Sequence, residues 1–244
     1  MNTLVRIITA SIIAIFLTSC NFDINFDPGI IGDGNVITKT REVISNFETV
    51  KVSRGIDVIL TQGNTISLEV KADRNLHNVI TTEFDEDNNM LRISANENIK
   101  SSASKKVILT VKDIASIITT SGSNVYSESS LNTNELNLSS TSGSHIDLDI
   151  DTNVLKIKTT SGAGIDIKGT TKNMNIAATS GSYIRASRLK AESTTVSATS
   201  GASISVNTIK VLKASATSGA SIKYEGNPDK VDKNSGVSGS IKKV

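Results

Sequence analysis

Cysteine and histidine are almost absent from this chain of 244 residues, which contains one Cys and two His. A single Cys excludes a fold held together by disulfides and a zinc site built from several thiolates. Two His are too few for a multi-histidine metal centre. From these counts we expect neither a metal ion nor another cofactor.

Tryptophan is missing as well, aromatic residues make up 3% of the chain, and there are two Pro. The formal net charge is +2, so the chain lacks an overall basic excess and we expect no nucleic-acid partner. Ser and Thr are abundant, with 34 and 26 residues, and 37% of all residues are hydrophobic. That hydrophobic content is sufficient for a core and argues against disorder of the whole chain.

The N-terminus has the organisation of a bacterial lipoprotein precursor. An apolar run from Ile7 to Leu17 is too short to span a bilayer as a helix and is typical of a signal peptide. It leads into Leu-Thr-Ser-Cys at 17–20, which resembles the lipobox, where an acylated Cys becomes the mature N-terminus. We therefore predict a signal peptide over residues 1–19, lipidation of Cys20, and a lipidated tether over residues 20–35 with little reason to pack.

An internal repeat dominates the rest of the chain. The tripeptide Thr-Ser-Gly recurs at intervals of 18 to 21 residues, and a weaker copy, Val-Ser-Gly, ends at Gly239. The strong copies end at Gly122, Gly143, Gly162, Gly181, Gly201 and Gly219. Three residues after each of these glycines stands an aliphatic residue: Val125, Ile146, Ile165, Ile184, Ile204 and Ile222. Apolar and polar residues alternate around this position, which predicts a strand with one buried face.

Stacking of these copies is the arrangement that buries their apolar residues, because a single copy cannot form a core alone. We therefore predict an all-β fold, a parallel β-helix or solenoid with coils of about 20 residues. The recurring Gly is expected at a corner, where positive φ or close packing is needed. The solenoid is predicted over residues 36–244, with Thr-Ser-Gly coils at 119–244 and irregular coils or capping hairpins at 36–118.

Residues ahead of the repeat carry a family resemblance. Gly32-x-Gly34-Asn35-Val36 and Arg41 are followed by Phe47-x-x-Val50-x-Val52, by Gly55-Ile56-Asp57-Val58 and then by the Ser-Gly repeats. In this order they resemble the "putative auto-transporter adhesin, head GIN domain" family of Bacteroidota-type envelope proteins, over about residues 36–240. Asp57 stands where the Gly-Ile-Asn signature has Asn. The resemblance implies a right-handed β-helical fold and a cell-envelope location, and it implies no established activity.

Acidic residues in the middle of the repeat are the candidates for catalysis, since polysaccharide cleavage uses paired carboxylates. The cluster comprises Asp147, Asp149, Asp151 and Asp166, with Glu128 one coil away. The repeat register, however, places Asp166 beside Arg185 and Asp149 beside Lys168, as ordinary surface ion pairs. Asp147 beside Asp166 remains a pair of like charges.

Other polar residues favour structural interpretations. His77, in a polar stretch, and His145, beside a repeat corner, are expected to be solvated, because no Ser-His-Asp arrangement stands out. The Thr of each Thr-Ser-Gly copy could form a hydroxyl array that binds ice or a glycan, or could satisfy a corner through hydrogen bonds. We favour the second interpretation, because a Gly follows each Thr within two residues. Sugar-stacking rings in the repeats are limited to Tyr126, Tyr183 and Tyr224.

Three functional hypotheses follow. The first is a lipid-anchored, non-enzymatic envelope protein, an adhesin or a binding or scaffold module, with the membrane and an envelope, glycan or protein ligand as partners. The second is a polysaccharide-active enzyme that uses carboxylates near Asp147–Asp166. The third is a self-assembling scaffold, a homo-oligomer stacked end to end. The outer membrane is the expected site of anchoring, and the sequence leaves the leaflet open.

Replacing Cys20 tests the lipid anchor directly. We expect Cys20→Ala to leave the fold intact, because Cys20 precedes the tether, and to move the protein from the membrane fraction to the soluble fraction. Two or three acyl chains give stable anchoring at about 0.8 kcal/mol per buried CH₂, so their loss should be plainly visible by fractionation. Unchanged membrane retention would refute the lipoprotein prediction.

Overall fold

Nineteen β-strands and one 3-10 helix, Arg74–Asn78, form the regular structure in the computed structural model, which describes residues 29–43 and 47–244. The predicted signal peptide, Cys20 and the first part of the predicted tether lie outside the described residues. The strands are β1 (Ile30–Ile31), β2 (Val36–Arg41), β3 (Thr49–Val52), β4 (Asp57–Gln62), β5 (Ser67–Asp73), β6 (Ile80–Asp85), β7 (Met90–Ala95), β8 (Ile99–Ser101), β9 (Lys105–Val111), β10 (Ser116–Thr119), β11 (Asn124–Ser127), β12 (Leu131–Ser140), β13 (His145–Thr159), β14 (Gly164–Ala178), β15 (Tyr183–Ala198), β16 (Ser203–Ala216), β17 (Ser221–Glu225), β18 (Lys230–Ser235) and β19 (Ser240–Lys243).

Stacked coils make up most of the chain, which confirms the predicted parallel β-solenoid. Strands β12 to β16 pair in parallel with one another in chain order. Every coil has one strand segment before its turn and another after it. We call the two resulting stacks the pre-turn ladder and the post-turn ladder. The pre-turn ladder contains 49–52, 116–119, 136–140, 155–159, 174–178, 194–198, 212–216 and 231–235, and the post-turn ladder contains 57–62, 124–127, 145–150, 164–168, 183–186, 203–207, 221–225 and 240–243.

The predicted aliphatic column lies on the inner side of the post-turn ladder. Its six members pair in register from coil to coil, and none is more than 1% exposed. The structure extends the column by Val58 and Val107 at one end and by Ile241 at the other. Burial of each such side chain stabilises the fold by about 1.5–3 kcal/mol, so this column is a principal part of the core.

A tight turn at each Thr-Ser-Gly tripeptide connects the two ladders. At Thr179, the next two residues, Ser180 and Gly181, have φ of +55° and +68°, and the Ser182 N–H donates to the Thr179 carbonyl at 3.2 Å. Positive φ at both central residues is the signature of a type I′ turn. The predicted positive φ of the Gly is confirmed, but the Ser before it is left-handed too, at a cost of about 1–2 kcal/mol. Stacking offsets this cost, since the Gly181 N–H donates to the Ser200 carbonyl of the next coil at 3.0 Å.

The same turn occurs at Arg54 and Gly55, within the segment predicted to form irregular coils. Their φ angles are +58° and +70°, and the Gly55 N–H donates to the Ser121 carbonyl at 3.0 Å. The flanking strands β3 and β4 pair in register with β10 and β11. The Gly-Ile-Asp signature at 55–57 is therefore part of a repeat coil, which the sequence concealed because Ser53-Arg54 stands in place of Thr-Ser.

The last copy of the repeat is displaced by one residue from its predicted alignment. The register of β17 with β19 brings Ser238, and not Gly239, opposite Gly219. Ser238 has a φ of +57°, and the Gly239 N–H closes the turn by donating to the Gly236 carbonyl at 3.1 Å. The sequence pattern matches the Gly residues of the copies with one another, whereas in the structure Ser238, with its positive φ, takes the position of Gly219.

At the N-terminal end, the order of coils differs from the order of the chain. β7 pairs in parallel with β3, and β9 with β4, so β7 and β9 form a coil on the far side of the first one. The chain then passes the first coil and continues on its other side as β10 and β11. Strands β6 and β5 pair antiparallel with β7 and β9, and β2 pairs antiparallel with β5. We call this antiparallel layer of β2, β5 and β6 the cap. It supplies backbone hydrogen-bond partners for the edge of the terminal coil.

Residues 29–35 pack against this cap, unlike the unpacked tether predicted for them. β1 pairs with β8, and the Asp73 carboxylate accepts hydrogen bonds from the N–H groups of Gly34, Ala103 and Ser104 at 2.8–3.1 Å. Burial by itself would raise the pKa of Asp73, but the backbone donors outweigh it and hold the pKa below its ordinary value. The composition of the segment gave no sign of this contact, because the partner carboxylate lies on a distant strand.

His77 is buried, which corrects the expectation of a solvated turn. It lies in the 3-10 helix between β5 and β6, is 5% exposed, and its Nε2 is 3.2 Å from the Ile37 carbonyl oxygen. The carbonyl of His77 accepts a hydrogen bond from Arg41 Nη2 at 2.8 Å. Burial follows from the packing of the whole helix, in which Leu76 is fully enclosed, and not from the polarity of neighbours in sequence.

Ile184 and Arg185 provide a test of the stacking register. Ile184 is fully buried between Ile165 and Ile204, whereas the Arg185 side chain is 64% exposed. Ile184→Asp should bury an unpaired carboxylate and cost several kcal/mol, while Arg185→Asp should cost about 1 kcal/mol through lost pairing. Thermal melts of both variants, in the chain shortened to begin at Asp27, measure the contrast. Equal melting temperatures would contradict the register.

Acid should loosen the cap through Asp73. Because its pKa is lowered in the folded state, the carboxylate contributes stability that is complete above its ordinary pKa, near 3.8, and is lost as pH falls below that value. We expect Asp73→Asn to melt several degrees below the parent at pH 7 and to show a smaller further loss between pH 5 and 3. Melting curves across this pH range check the prediction, and identical acid sensitivity in both proteins would contradict it.

Candidate binding surfaces

Three rings lie in a row on the outer side of the post-turn ladder. The centroid of the His145 ring is 6.3 Å from that of Tyr126 and 6.2 Å from that of Tyr183. Tyr183 reaches His145 across Gly164, where a side chain would occupy the space of the tyrosine ring. The Tyr183 hydroxyl lies 3.4 Å from His145 Nδ1. His145 is thus partly covered by the rings of other coils and is less exposed than the solvated surface residue predicted from the sequence.

Asp166 lies between the ring row and the basic side chain of Arg185. Its Oδ2 lies 3.5 Å from His145 Nε2 and 3.4 Å from Arg185 Nη1, and the Arg185 guanidinium stacks 4.3 Å from the centroid of the Tyr183 ring. Pairing of Asp166 with Arg185 is as predicted, and so is pairing of Asp149 with Lys168, whose charged atoms are 3.4 Å apart. The neighbouring coils therefore compensate two members of the acidic cluster, Asp149 and Asp166.

Asp147 lies in register between Tyr126 and Asp166, so the predicted like-charged neighbours are present. Burial raises the pKa of the Tyr126 hydroxyl, and the charges of Asp57 and Asp147 raise it further. Asp57 also accepts a hydrogen bond from the Asn124 amide at 2.7 Å. These interactions keep Tyr126 a neutral hydrogen-bond donor at the edge of the ring row.

The chemistry available to the acidic cluster is limited by these contacts. Glycosidic cleavage pairs a protonated carboxylic acid with a second carboxylate across the substrate. Here Asp166 is the counter-ion of Arg185 and faces His145, and Asp151 accepts a hydrogen bond from the Thr170 hydroxyl at 2.7 Å. Within the described ranges, no three His, Cys, Asp or Glu side chains are arranged to hold a metal ion.

A groove runs along the outer side of the pre-turn ladder, on residues that the sequence did not single out. Three depressions of about 380, 500 and 200 Å³ lie along it. The third shares Thr195 and Lys213 with the first and Ser197 with the second, so the three form one continuous surface. The sequence did not reveal the groove, because its residues alternate with buried ones and their type varies among the copies.

Outward-facing side chains, all polar except Ala177, form the floor of the groove in two columns. One column holds Lys156, Asn175, Thr195, Lys213 and Asp232, and the other holds Ser139, Lys158, Ala177, Ser197, Ser215 and Asn234. Lys156 binds Glu135 at 2.6 Å, and this hydrogen bond lowers the pKa of Glu135. Lys158 has no ion-pair partner in the part of the chain that the structure describes. The groove thus presents amide, hydroxyl and ammonium groups side by side.

Thr160, Thr179 and Thr199 of the repeat line the rim of the groove. Thr160 Oγ1 lies 3.4 Å from the Ser161 hydroxyl of its own turn, and four other copies are similar, whereas Thr217 Oγ1 donates to Thr199 Oγ1 of the preceding coil at 3.2 Å. The corner is closed mainly by a different hydroxyl, that of the residue after the Gly. Ser182 Oγ donates to the Thr179 carbonyl at 2.7 Å and accepts from the Thr179 N–H at 3.2 Å. Ala replaces this Ser in other copies, so the backbone turn does not require it.

Solved structures share this fold. A protein from Bacteroides fragilis described as a putative adhesin superposes with a TM-score of 0.81 at 20% identity, over 88% of this chain and all of the other. A Parabacteroides distasonis protein described as a putative lipid binding protein gives 0.72 at 20% identity, over 88% and 99% of the two chains. A putative adhesin from Parabacteroides merdae gives 0.68 at 20% identity, over 88% and 98%. At this level of identity the likeness establishes the fold alone.

Sequence comparison supplies the family. No curated protein matches the chain, and among the described residues no helix has the length and hydropathy needed to cross a membrane. The model of the family described as "Putative auto-transporter adhesin, head GIN domain" matches residues 46–228, about three quarters of the sequence. That range includes the first repeat turn, the antiparallel strands β5 and β6 of the cap and the six strong repeat turns, whereas strand β2 of the cap precedes it. The chain belongs to this family, as the residues at 32–58 indicated.

Proposed function

We propose that this protein is a lipid-anchored, non-enzymatic binding protein of the cell envelope, held on the outer membrane through Cys20, and that its groove receives an extended glycan chain. The observation that carries the proposal is the continuous groove of polar side chains along the pre-turn ladder. An extended ligand in it would meet side chains of several coils at a spacing of about 4.8 Å.

The groove chemistry suits a hydroxyl-rich ligand. Asn175 offers both donors and an acceptor, Thr195 and Ser197 offer hydroxyls, and Lys158 offers an ammonium group that has no ion pair within the described residues. Sugar hydroxyl groups are donors and acceptors as well, so they can pair with each of these side chains.

Relatives and the N-terminus support the remaining parts of the proposal. Proteins of the same fold are described as putative adhesins and as a putative lipid binding protein, descriptions that concern binding and not turnover. The lipobox-like residues 17–20 support anchoring to a membrane. The competing enzymatic function draws on one observation, the proximity of Asp166 to His145 and Asp147.

Blocking the groove tests the proposal. Ala177 is exposed on the groove floor, so Ala177→Arg should fill the groove without disturbing the core. Ser205→Arg introduces the same side chain on the outer side of the post-turn ladder and is the matched control. On an array of defined linear oligosaccharides we expect the parent to bind at least one glycan, Ala177→Arg to weaken that binding about tenfold or more, and Ser205→Arg to leave it unchanged.

Two outcomes would contradict the proposal. An equal loss of glycan binding in both variants would show that the groove is not the glycan-binding site. Cleavage of a bound glycan by the parent, abolished in the double variant Asp147→Asn with Asp166→Asn, would replace the binding function by an enzymatic one. Circular dichroism of each variant verifies that the fold is retained.

A further inference from the structure

A separate pocket lies at the N-terminal end of the pre-turn ladder. It has a volume of about 340 Å³ and is bordered by β3, β7 and β6, which lie side by side. Two rows of side chains cross these strands. Glu83, Arg92 and Lys51 form a charged row, and Thr81, Ser94 and Ser53 form a row of hydroxyls, with Arg54 and Asn96 at the end.

The cations of the pocket differ in how far they are neutralised. Arg92 binds Asp85 through Nε at 2.9 Å and also through Nη2. Arg54 donates only to the Asn96 carbonyl, at 3.3 Å. Lys51 is half-buried and has neither a hydrogen bond nor an ion pair from its ammonium group to any residue in 29–43 or 47–244. Two positive groups, on Lys51 and Arg54, are therefore available to a ligand.

Hydroxyl groups lie between these charges. Ser53 Oγ donates to Ser94 Oγ at 2.8 Å, which leaves the Ser94 hydroxyl hydrogen free to donate elsewhere. Thr81 lies opposite Ser94 in the antiparallel register and adds a hydroxyl. Ammonium, guanidinium and hydroxyl donors around a concave space are the groups that bind phosphate oxygens.

The carboxylate of Glu83 adds a negative charge to the same pocket. It lies opposite Arg92, but Arg92 pairs with Asp85 and leaves Glu83 without an ion pair within the described ranges. A bare anion in the pocket would be repelled by this carboxylate, whereas a ligand that also carries an ammonium group would be attracted to both walls.

We propose that this pocket binds a zwitterionic phosphate ester, with the phosphate at Lys51, Arg54 and the Ser94 hydroxyl and the ammonium group at Glu83. The volume of the pocket lies within the range of small-molecule sites. Phosphoethanolamine has this chemistry, both as the headgroup of a phospholipid and as a soluble ester. The site is independent of the glycan groove, since no residue is shared between their linings.

Calorimetric titration of the full chain in a sugar-based detergent tests the site, with phosphoethanolamine, inorganic phosphate and ethanolamine as separate probes. We expect phosphoethanolamine to bind more tightly than either of the others. Lys51→Met should weaken both phosphate probes about tenfold, and Glu83→Gln should abolish the preference for phosphoethanolamine over phosphate. Lys223→Met, at an exposed position of the post-turn ladder outside both the pocket and the groove, is the matched control and should leave the binding of all three probes unchanged.

Absence of phosphoethanolamine binding by the parent, or an equal loss in Lys51→Met and Lys223→Met, would overturn the proposal. Retention of the preference in Glu83→Gln would overturn the assignment of the ammonium contact. A vesicle arm separates the two sources of the ligand, using the Cys20→Ala chain so that no acyl chain inserts. Lys51-dependent binding to phosphatidylethanolamine vesicles supports a lipid headgroup, and binding of the soluble ester alone supports a soluble ligand.

Discussion

Parallel pairing of equivalent residues in successive coils is the constraint on which the rest of this structure depends. It aligns the aliphatic column that forms the core of the post-turn ladder, and none of its six central members is more than 1% exposed. The same pairing brings Ser180 and Gly181 into a stacked turn, and in five of the six strong copies, Gly122, Gly143, Gly162, Gly181 and Gly201, the Gly N–H donates to a carbonyl of the next coil. A left-handed Ser is tolerated in this turn because the stack over-determines its conformation.

Termination of the stack requires a different solution, since a coil edge presents unpaired backbone groups. The chain supplies it by leaving the first coil, laying β7 and β9 outside it, and covering them with antiparallel strands. The Asp73 carboxylate accepts hydrogen bonds from the Gly34 N–H in residues 29–35 and from the N–H groups of Ala103 and Ser104. Gly32 is needed because a side chain at this position would collide with the Asp73 carboxylate. The cap and residues 29–35 thus form one unit.

The two outer surfaces of the solenoid differ in shape and in where ion pairs join adjacent coils. On the post-turn ladder, Asp166 pairs with Arg185 and Asp149 pairs with Lys168. On the pre-turn ladder, Lys158 and Lys51 have no ion pair within the described residues, and the surface is concave. Free polar groups in a concave surface are what a ligand can use, which is why both proposed sites lie on this side of the molecule.

Sequence by itself determined the all-β class, the coil length and the inward position of Ile184, because period-2 alternation and an aligned Gly specify strands and corners locally. It also determined the pairing of Asp166 with Arg185, since stacking follows from the repeat interval. Only the tertiary structure decided that Gly55 belongs to a repeat coil, that His77 is buried and that the groove exists. Each of these depends on residues brought together by the order of coils and by the cap, and no local pattern records which segments will become neighbours.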